Sequence, residues 1–208
     1  MNKGVISVLV AYLIWGLYPF YFHAMQHVAP AEIVIHRVLW TFALLAVYLF
    51  CSRRWRWIQK AVTDKRTVAV FLMSSALITA NWSTYTYAIV TNQTLEASLG
   101  YFMNPLVSVL LGTVFLKEKL NKAQMLAIIF ACAGVMWVTF KQGEFPALGL
   151  TLALTFGFYG LVRKMAPLGS LEGLTLETAF AFPVALLATF YFAGNGDLTF
   201  VNGTGWDK

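Results

Sequence analysis

Long apolar runs, separated by short polar segments, occupy nearly all of the 208-residue sequence. The run from Ala97 to Leu116 holds no charged residue over its whole length. About twenty helical residues, each rising ~1.5 Å, cross the roughly 30 Å hydrocarbon core of a bilayer, so this run predicts a membrane-spanning helix. None of the runs shows the alternating polarity of a membrane β-strand, which argues against a β-barrel.

The same pattern recurs along the chain and predicts an all-α, polytopic membrane helix bundle. Polar or turn-forming runs at residues 27–30, 91–94 and 141–144 separate the apolar segments. The first segment ends in aromatic residues rather than in a small-residue cleavage site, so we interpret it as a retained helix and not as a signal peptide. The predicted spans are Val5–Phe22, Ile33–Cys51, Thr67–Val90, Leu95–Leu116, Ala123–Phe140, Phe145–Val162 and Gly173–Ala193.

Lysine and arginine residues lie mostly on one side of the predicted bundle. That side holds Lys3, Arg53, Arg54, Arg56, Lys60, Lys65, Arg66, Lys117, Lys119, Lys122, Arg163 and Lys164. Lys141 and Lys208 lie on the other side, and Arg37 falls inside a span. The positive-inside rule therefore predicts a cytoplasmic amino terminus. The net charge of +6 reflects this topology; we expect a lipid bilayer as the surroundings and no nucleic-acid partner.

Residues 11–37 and 154–178 share an order of features: an aromatic residue followed by glycine, a short loop, and a helix that begins with an acidic residue. If this is a repeat, its unit has five helices, and the second copy enters the membrane inverted. The predicted division is a first five-helix unit over residues 1–140, two helices of a second unit over 141–193, and a polar tail over 194–208. Chance similarity between membrane helices, which use few residue types, is the competing explanation.

Charged side chains within apolar spans are costly in lipid and mark functional or anchoring positions. Arg37 lies near the start of the second span, where Glu32 faces His36 at i,i+4. Glu96 begins the fourth span on the same side and is the predicted ion-pair partner of Arg37; a transport role and a structural role for the pair are both open. Glu177 lies on the opposite side. We hypothesise that Glu177 or His36 takes up a proton during transport.

The fourth predicted span carries small or polar residues at every fourth position, namely Glu96, Gly100, Asn104, Ser108 and Gly112. For the two glycines a helix-packing seam is the favoured interpretation. Asn104 precedes Pro105, which has no N–H to donate and clashes with the preceding turn. We therefore predict a broken helix with exposed carbonyl groups near mid-membrane, an arrangement from which transporters build substrate sites.

The third predicted span is unusually polar and aromatic near its centre, and Asn81 and Tyr85 share one of its faces. Together with aromatic residues of other spans they would line a cavity suited to flat, weakly polar ligands. For Trp15 or Tyr18 taken alone, ordinary packing is the favoured interpretation. The predicted substrate-binding residues are Trp15, Tyr18, Asn81, Trp82, Tyr85, Tyr101, Asn104 and Tyr159.

Several motifs give the sequence a specific resemblance. The segment 95–106 (LEASLGYFMNPL) resembles the fourth helix of RarD-type transporters, which belong to the EamA branch of the drug/metabolite transporter superfamily. Residues 12–16 (YLIWG), Asn81-Trp82, residues 158–164 (FYGLVRK) and Glu177-Thr178 match the same pattern. The likeness covers residues 3–193.

The resemblance implies ten helices in two inverted five-helix units, located in the bacterial inner membrane, and export of small metabolites or drugs. After Ala193 the sequence has no counterpart of helices eight to ten, so we expect the chain to be a fragment or a truncated product. Such a chain would be poorly stable or inactive unless it self-associates or meets the missing carboxyl-terminal helices, because half-satisfied polar groups would face lipid.

The function predicted from these features is secondary transport of a small organic molecule, of unknown identity, by alternating access. The sequence has no G-x-x-x-x-G-K-[ST] loop, so direct use of ATP is unsupported. It also lacks clustered metal ligands and a nucleophile paired with a base, so we expect no catalytic residue, no metal and no cofactor. A membrane-embedded enzyme and a non-transporting scaffold are the alternatives.

Overall fold

The computed structural model describes residues 3–53, 55–196 and 198–199, and they form an all-α structure. Seven of its helices coincide with the predicted spans, and each end lies within three residues of the predicted one. The helices are α1 (Lys3–Ala24), α2 (Pro30–Ser52), α3 (Arg56–Thr63), α4 (Lys65–Val90), α5 (Thr94–Phe115), α6 (Lys122–Gln142), α7 (Ala147–Lys164) and α8 (Ser170–Asn195).

Local capping explains several helix ends. Pro30 opens α2, where its fixed φ suits the first turn and its missing N–H is not needed. Asn121 and Gln124 form a reciprocal capping box at the start of α6. Gly143, at φ 72°, ends the same helix in the left-handed region that glycine tolerates best. These signals are local in sequence, which is why the ends were predictable.

The short helix α3 was not predicted, because its eight residues lie in the basic loop between two spans. Its Ala61 packs with Phe71 and Leu176 in a buried cluster that joins α3, α4 and α8. Asp64 then caps α4 by accepting the Thr67 hydroxyl at 2.5 Å and the Thr67 N–H at 3.1 Å. These hydrogen bonds, the one from the hydroxyl foremost, lower the pKa of the Asp64 carboxyl below its usual value.

Within the described residues, six helices are long and apolar enough to cross a membrane: α1, α2, α4, α5, α6 and α8. Helix α7 is shorter, at 18 residues, and carries Arg163 and Lys164 in its last turn. It is not among the six, so the seventh span, over Phe145–Val162, stays a prediction. The division into repeats also stays a prediction. Residues 54, 197 and 200–208, which include most of the predicted tail, lie outside the described residues.

Helix α4 lies at the centre of the bundle and packs against α1, α2, α3, α5, α7 and α8. One cluster of buried side chains joins it to α1, α2 and α7 through Phe22, Ile33, Tyr85 and Leu152. By contrast, α6 contacts only α5 among the described helices, and the apolar window of its span has no buried residue. An apolar helix exposed in this way suits a lipid surrounding.

Contacts between loops define two ends of the bundle. At the end that we call the basic end, Lys164 at the close of α7 pairs with Glu118 in the loop after α5. At the opposite end, Gln26 donates a hydrogen bond to Asn92 at 2.8 Å, which joins the loop after α1 to the loop after α4. The clustering of basic residues at one end agrees with the sequence pattern.

Helix α5 runs without interruption from Thr94 to Phe115, so the predicted break at Pro105 is wrong. A single proline removes one backbone hydrogen bond, here the one to the Tyr101 carbonyl, and the packing of the flanking turns is enough to keep the helix continuous. Asn104 is therefore presented from a regular helix rather than from an unwound segment.

The predicted packing seam is confirmed at Gly100 and is wrong at Gly112. A Cβ atom on Gly100 would lie 2.8 Å from the Leu152 Cβ and 3.0 Å from the Gly149 carbonyl oxygen, so α5 and α7 approach closely here. A Cβ on Gly112 would instead meet the carboxylate of Glu118, in the loop that follows α5. The spacing of four identified the face of α5 but not which neighbour covers each position.

Candidate functional site

Two cavities lie between α1 and the helices packed behind it, and they share Tyr18, Arg37 and Trp82 in their walls. The large cavity, about 740 Å³, lies between α1 and α2 and reaches Met25 and Val28 at the opposite end of the bundle. The small cavity, about 100 Å³, extends toward α5 and α7. The larger volume is in the range of pockets that hold small organic ligands.

Arg37 faces these cavities with its guanidinium carbon 4.0 Å from the centre of the Trp82 ring. This is the geometry of a cation–π contact, which is strongest for tryptophan. No carboxylate of the described residues lies within 4.0 Å of Arg37. The cation is therefore held by an aromatic face and not by a counter-ion.

The predicted ion pair between Glu96 and Arg37 is wrong. Glu96 Oε2 accepts the backbone N–H of Leu148 at 3.0 Å, in the first turn of α7. The first N–H groups of a helix have no partner within the helix and carry partial positive charge, so a carboxylate is stabilised there. Glu96 thus ties the start of α5 to the start of α7.

The small cavity brings together seven of the eight predicted substrate-binding residues. They are Trp15, Tyr18, Asn81, Trp82, Tyr85, Tyr101 and Asn104. The Tyr85 ring lies edge-on to the Tyr101 ring, with 5.8 Å between centroids. The eighth residue, Tyr159, is not in the lining of either cavity. Their common location is a structural finding; that they bind a substrate stays a prediction.

The two asparagines of the small cavity differ in their hydrogen bonding. Asn81 Nδ2 donates to the Leu152 carbonyl and to the Thr155 hydroxyl, both at 3.0 Å, so it fastens α4 to α7. Asn104 Oδ1 is buried and accepts no hydrogen bond from any described residue. A buried polar atom without a partner is costly and rare in folded proteins. Asn104, in the wall of the small cavity, therefore has an acceptor that no described residue satisfies.

Glu32 and His36 form the predicted i,i+4 pair, with 3.9 Å between Glu32 Oε1 and His36 Nε2. The other oxygen of Glu32, which is 2% exposed, accepts the hydroxyl of Thr199 at 2.7 Å and its backbone N–H at 3.1 Å. Glu32 thereby joins the start of α2 to the chain that follows α8. His36 lines the large cavity next to Arg37.

Glu177 is at the centre of a second polar cluster, between the cavities and the basic end. The residue is 2% exposed, and its Oε1 lies 3.6 Å from Arg163 Nε and accepts the Ser74 hydroxyl at 2.8 Å. The Tyr159 hydroxyl donates to its other oxygen at 3.2 Å. Tyr159 therefore belongs to this cluster, because its position on α7 turns it toward α8.

Arg163 was not predicted to belong to this cluster, because the sequence pattern places it among the loop cations. Arg163 folds back over the Phe71 ring at 5.2 Å and donates to the Gly169 carbonyl at 3.1 Å. Gly173 leaves room for it, since a Cβ there would collide with the guanidinium group. A sequence signal did exist: a carboxylate within a span is stabilised by a nearby cation, and Gly173 lies one turn before Glu177.

These features define a multi-pass membrane protein with a mostly apolar cavity between α1 and α2 and a small polar, aromatic cavity beside it. A match to the EamA-like transporter family covers residues 2–140, and the chain belongs to that family. The family assignment agrees with the resemblance inferred from the fourth span and its neighbouring motifs.

The chain is similar to several bacterial proteins over nearly its whole length. It is 42% identical over 188 residues to the uncharacterized transporter YojE of Bacillus subtilis, covering 89% of this chain and 63% of the relative. It is 39% identical over 192 residues to the protein RarD of Salmonella typhi, covering 92% and 65%. The chain thus spans just under two thirds of the length of these relatives. No solved structure matches it significantly.

Proposed function

We propose that this chain acts in secondary transport, carrying a small organic molecule out of the bacterial cell across the inner membrane by alternating access. The observation that carries the proposal is the aromatic cavity of about 740 Å³ that holds the intramembrane cation Arg37. Charged side chains within membrane spans are costly in free energy, and they mark substrate or ion pathways. We propose a transport role without enzymatic activity.

The proposed topology has a cytoplasmic amino terminus and a second, inverted repeat. The distribution of basic residues supports it, because positive charges concentrate in cytoplasmic loops. In a variant without Cys51 and Cys132, single cysteines at Arg53 and Lys141 should react with a membrane-impermeant reagent from opposite faces. Reaction of both from the same face would contradict this topology.

Flux measurements in proteoliposomes test the proposed activity. The chain would be reconstituted alone and together with the carboxyl-terminal third of the Bacillus relative, since we propose that a second copy or further carboxyl-terminal helices complete the bundle. We expect uptake of at least one radiolabelled compound from a panel of aromatic acids, amines and amides. Trp82→Ala should reduce that uptake about tenfold, because it removes the ring under Arg37. Uptake of no compound in either preparation would contradict the proposal.

The same proteoliposomes test the proposed proton uptake by Glu177 or His36. Buried carboxyl and imidazole groups can exchange protons near neutral pH. Glu177→Gln and His36→Gln each remove one titrating group while keeping a side chain that forms hydrogen bonds. We expect one of the two variants to transport at a rate that no longer responds to an imposed proton gradient. An unchanged response in both would remove both residues from that role.

A further inference from the structure

One fixed positive charge, that of Arg37, faces both cavities. No aspartate or glutamate of the described residues lines either cavity. Glu32, which pairs with His36 and accepts hydrogen bonds from Thr199, lies outside both linings. A ligand in these cavities therefore meets a cation without a competing carboxylate.

The guanidinium of Arg37 has its hydrogen-bonding capacity unused. Its Cζ lies 4.0 Å from the centre of the Trp82 ring, and the group donates no hydrogen bond to a described residue. Five N–H donors at its edge remain available, in a planar fork that matches the two oxygens of a carboxylate. Such charge-assisted, bidentate bonds are among the strongest that side chains form.

Asn104 supplies a second, independent indication. Asn104 lines the small cavity, and its buried Oδ1 atom accepts no hydrogen bond from a described residue, so a further donor is needed to satisfy it. Between Asn104 and Arg37 the wall consists largely of rings, including Tyr85 and Tyr101. Rings of this kind favour flat aromatic groups through edge and face contacts.

We infer that the site takes an aromatic organic anion, with its carboxylate on Arg37, its ring among the aromatic side chains, and an O–H or N–H donor directed to Asn104. The inference rests on the proposed transport function and gives it a substrate class. The large cavity shares Tyr18, Arg37 and Trp82 with the small one, so a ligand anchored at Arg37 has room to extend.

Equilibrium binding to the 208-residue chain in detergent, alone and together with the carboxyl-terminal third of the Bacillus relative, tests this assignment with three probes. They are radiolabelled 4-hydroxyphenylacetate, its neutral amide 4-hydroxyphenylacetamide, and acetate, which has the charge without the ring. We expect 4-hydroxyphenylacetate to bind at least about tenfold more tightly than either of the others, because only it satisfies both the cation and the aromatic wall. Asn104→Leu should weaken its binding by about tenfold through loss of the acceptor.

Variants at Arg37 test whether the preference for the acid over the amide depends on this residue. Arg37→Gln should abolish the preference for the acid over the amide, and Arg37→Lys should keep part of it. Lys141→Gln is the matched control: Lys141 also lies over a tryptophan, Trp137 at 5.5 Å, but on α6, away from both cavities, and its loss should leave binding unchanged. Each binding sample would be checked for a monodisperse elution profile, and the three-probe comparison on the unmodified chain stands even if a variant does not fold.

Two results would overturn the assignment. The first is that the acid binds no more tightly than the amide, including the case in which neither binds. The second is that Arg37→Gln keeps the preference for the acid over the amide. Flux distinguishes this inference from the proposed function. Carboxylate-selective binding without flux would contradict transport and retain the anion site. Flux of neutral compounds without such selectivity would contradict the anion site and retain transport.

Discussion

Replacing Glu177 by alanine is expected to lower the free energy of unfolding by about 3–5 kcal/mol, the usual cost of removing one partner from a buried ion pair. The carboxylate is the acceptor for the Arg163 guanidinium and for the Ser74 and Tyr159 hydroxyls. The Arg163 side chain is only 16% exposed, and its Nη1 atom already has no partner among the described residues. Without Glu177 the guanidinium keeps its desolvation cost and loses its counter-ion.

Glu118→Ala is the matched control, because Glu118 pairs with Lys164, the neighbour of Arg163, where both side chains are more than half exposed. Solvent-exposed pairs contribute about 0–1 kcal/mol, so this variant should change little. Unfolding in mixed micelles, followed by circular dichroism, measures the free energy of unfolding of Glu177→Ala and of Glu118→Ala. The double variant Arg163→Gln, Glu177→Gln should lose less than the sum of its single variants. Equal losses for Glu118→Ala and Glu177→Ala would contradict a buried, stabilising pair.

The position of this cluster bears on the proposed mechanism. Glu177, Arg163 and Ser74 fasten α8, α7 and α4 together on the side of the basic end. The large cavity reaches Met25 and Val28 at the opposite end. Alternating access requires a state that is closed on one side of the substrate site and accessible from the other. Under the proposed topology, the Glu177 cluster lies on the cytoplasmic side of the cavities and the large cavity extends toward the opposite side.

The elements of the fold could be predicted because they depend on local patterns. The apolar runs predicted the ends of the seven long helices to within a few residues, because the bilayer thickness sets the helix length and polar residues mark where each helix ends. The helix α3 could not be found this way, because its stability comes from Ala61 packing on Phe71 and Leu176, which are distant in sequence. The continuity of α5 through Pro105 likewise depends on its neighbours.

The composition of the small cavity was predictable for a related reason. Residues spaced by three or four share a helix face, so Asn81 and Tyr85 had to point the same way. What the sequence could not show is which helix lies opposite. Glu96 accepts a hydrogen bond from the start of α7 and does not pair with Arg37, and Tyr159 donates a hydrogen bond to Glu177. Arg163 was missed because a cation at the end of a span is indistinguishable in sequence from a loop residue.

The contact of α5 with α7 leads to the second large expected effect. Gly100→Ala should lower the free energy of unfolding by about 1–3 kcal/mol, the usual cost of overpacking a close contact. The new Cβ would lie 2.8 Å from the Leu152 Cβ and 3.0 Å from the Gly149 carbonyl oxygen, neither of which can move without shifting a helix. Because Asn104 lies one turn further along α5, the same shift should also weaken ligand binding in the small cavity.

Gly160→Ala provides the control on α7 itself. A Cβ there meets nothing within 4 Å, so the substitution adds a methyl group in open space. Alanine is the better helix former by about 1 kcal/mol, so this variant should be neutral or slightly more stable. The same unfolding assay compares the two substitutions, which differ only in what faces the added methyl. If Gly100→Ala were as stable as Gly160→Ala, α5 and α7 would have to pack less closely than described.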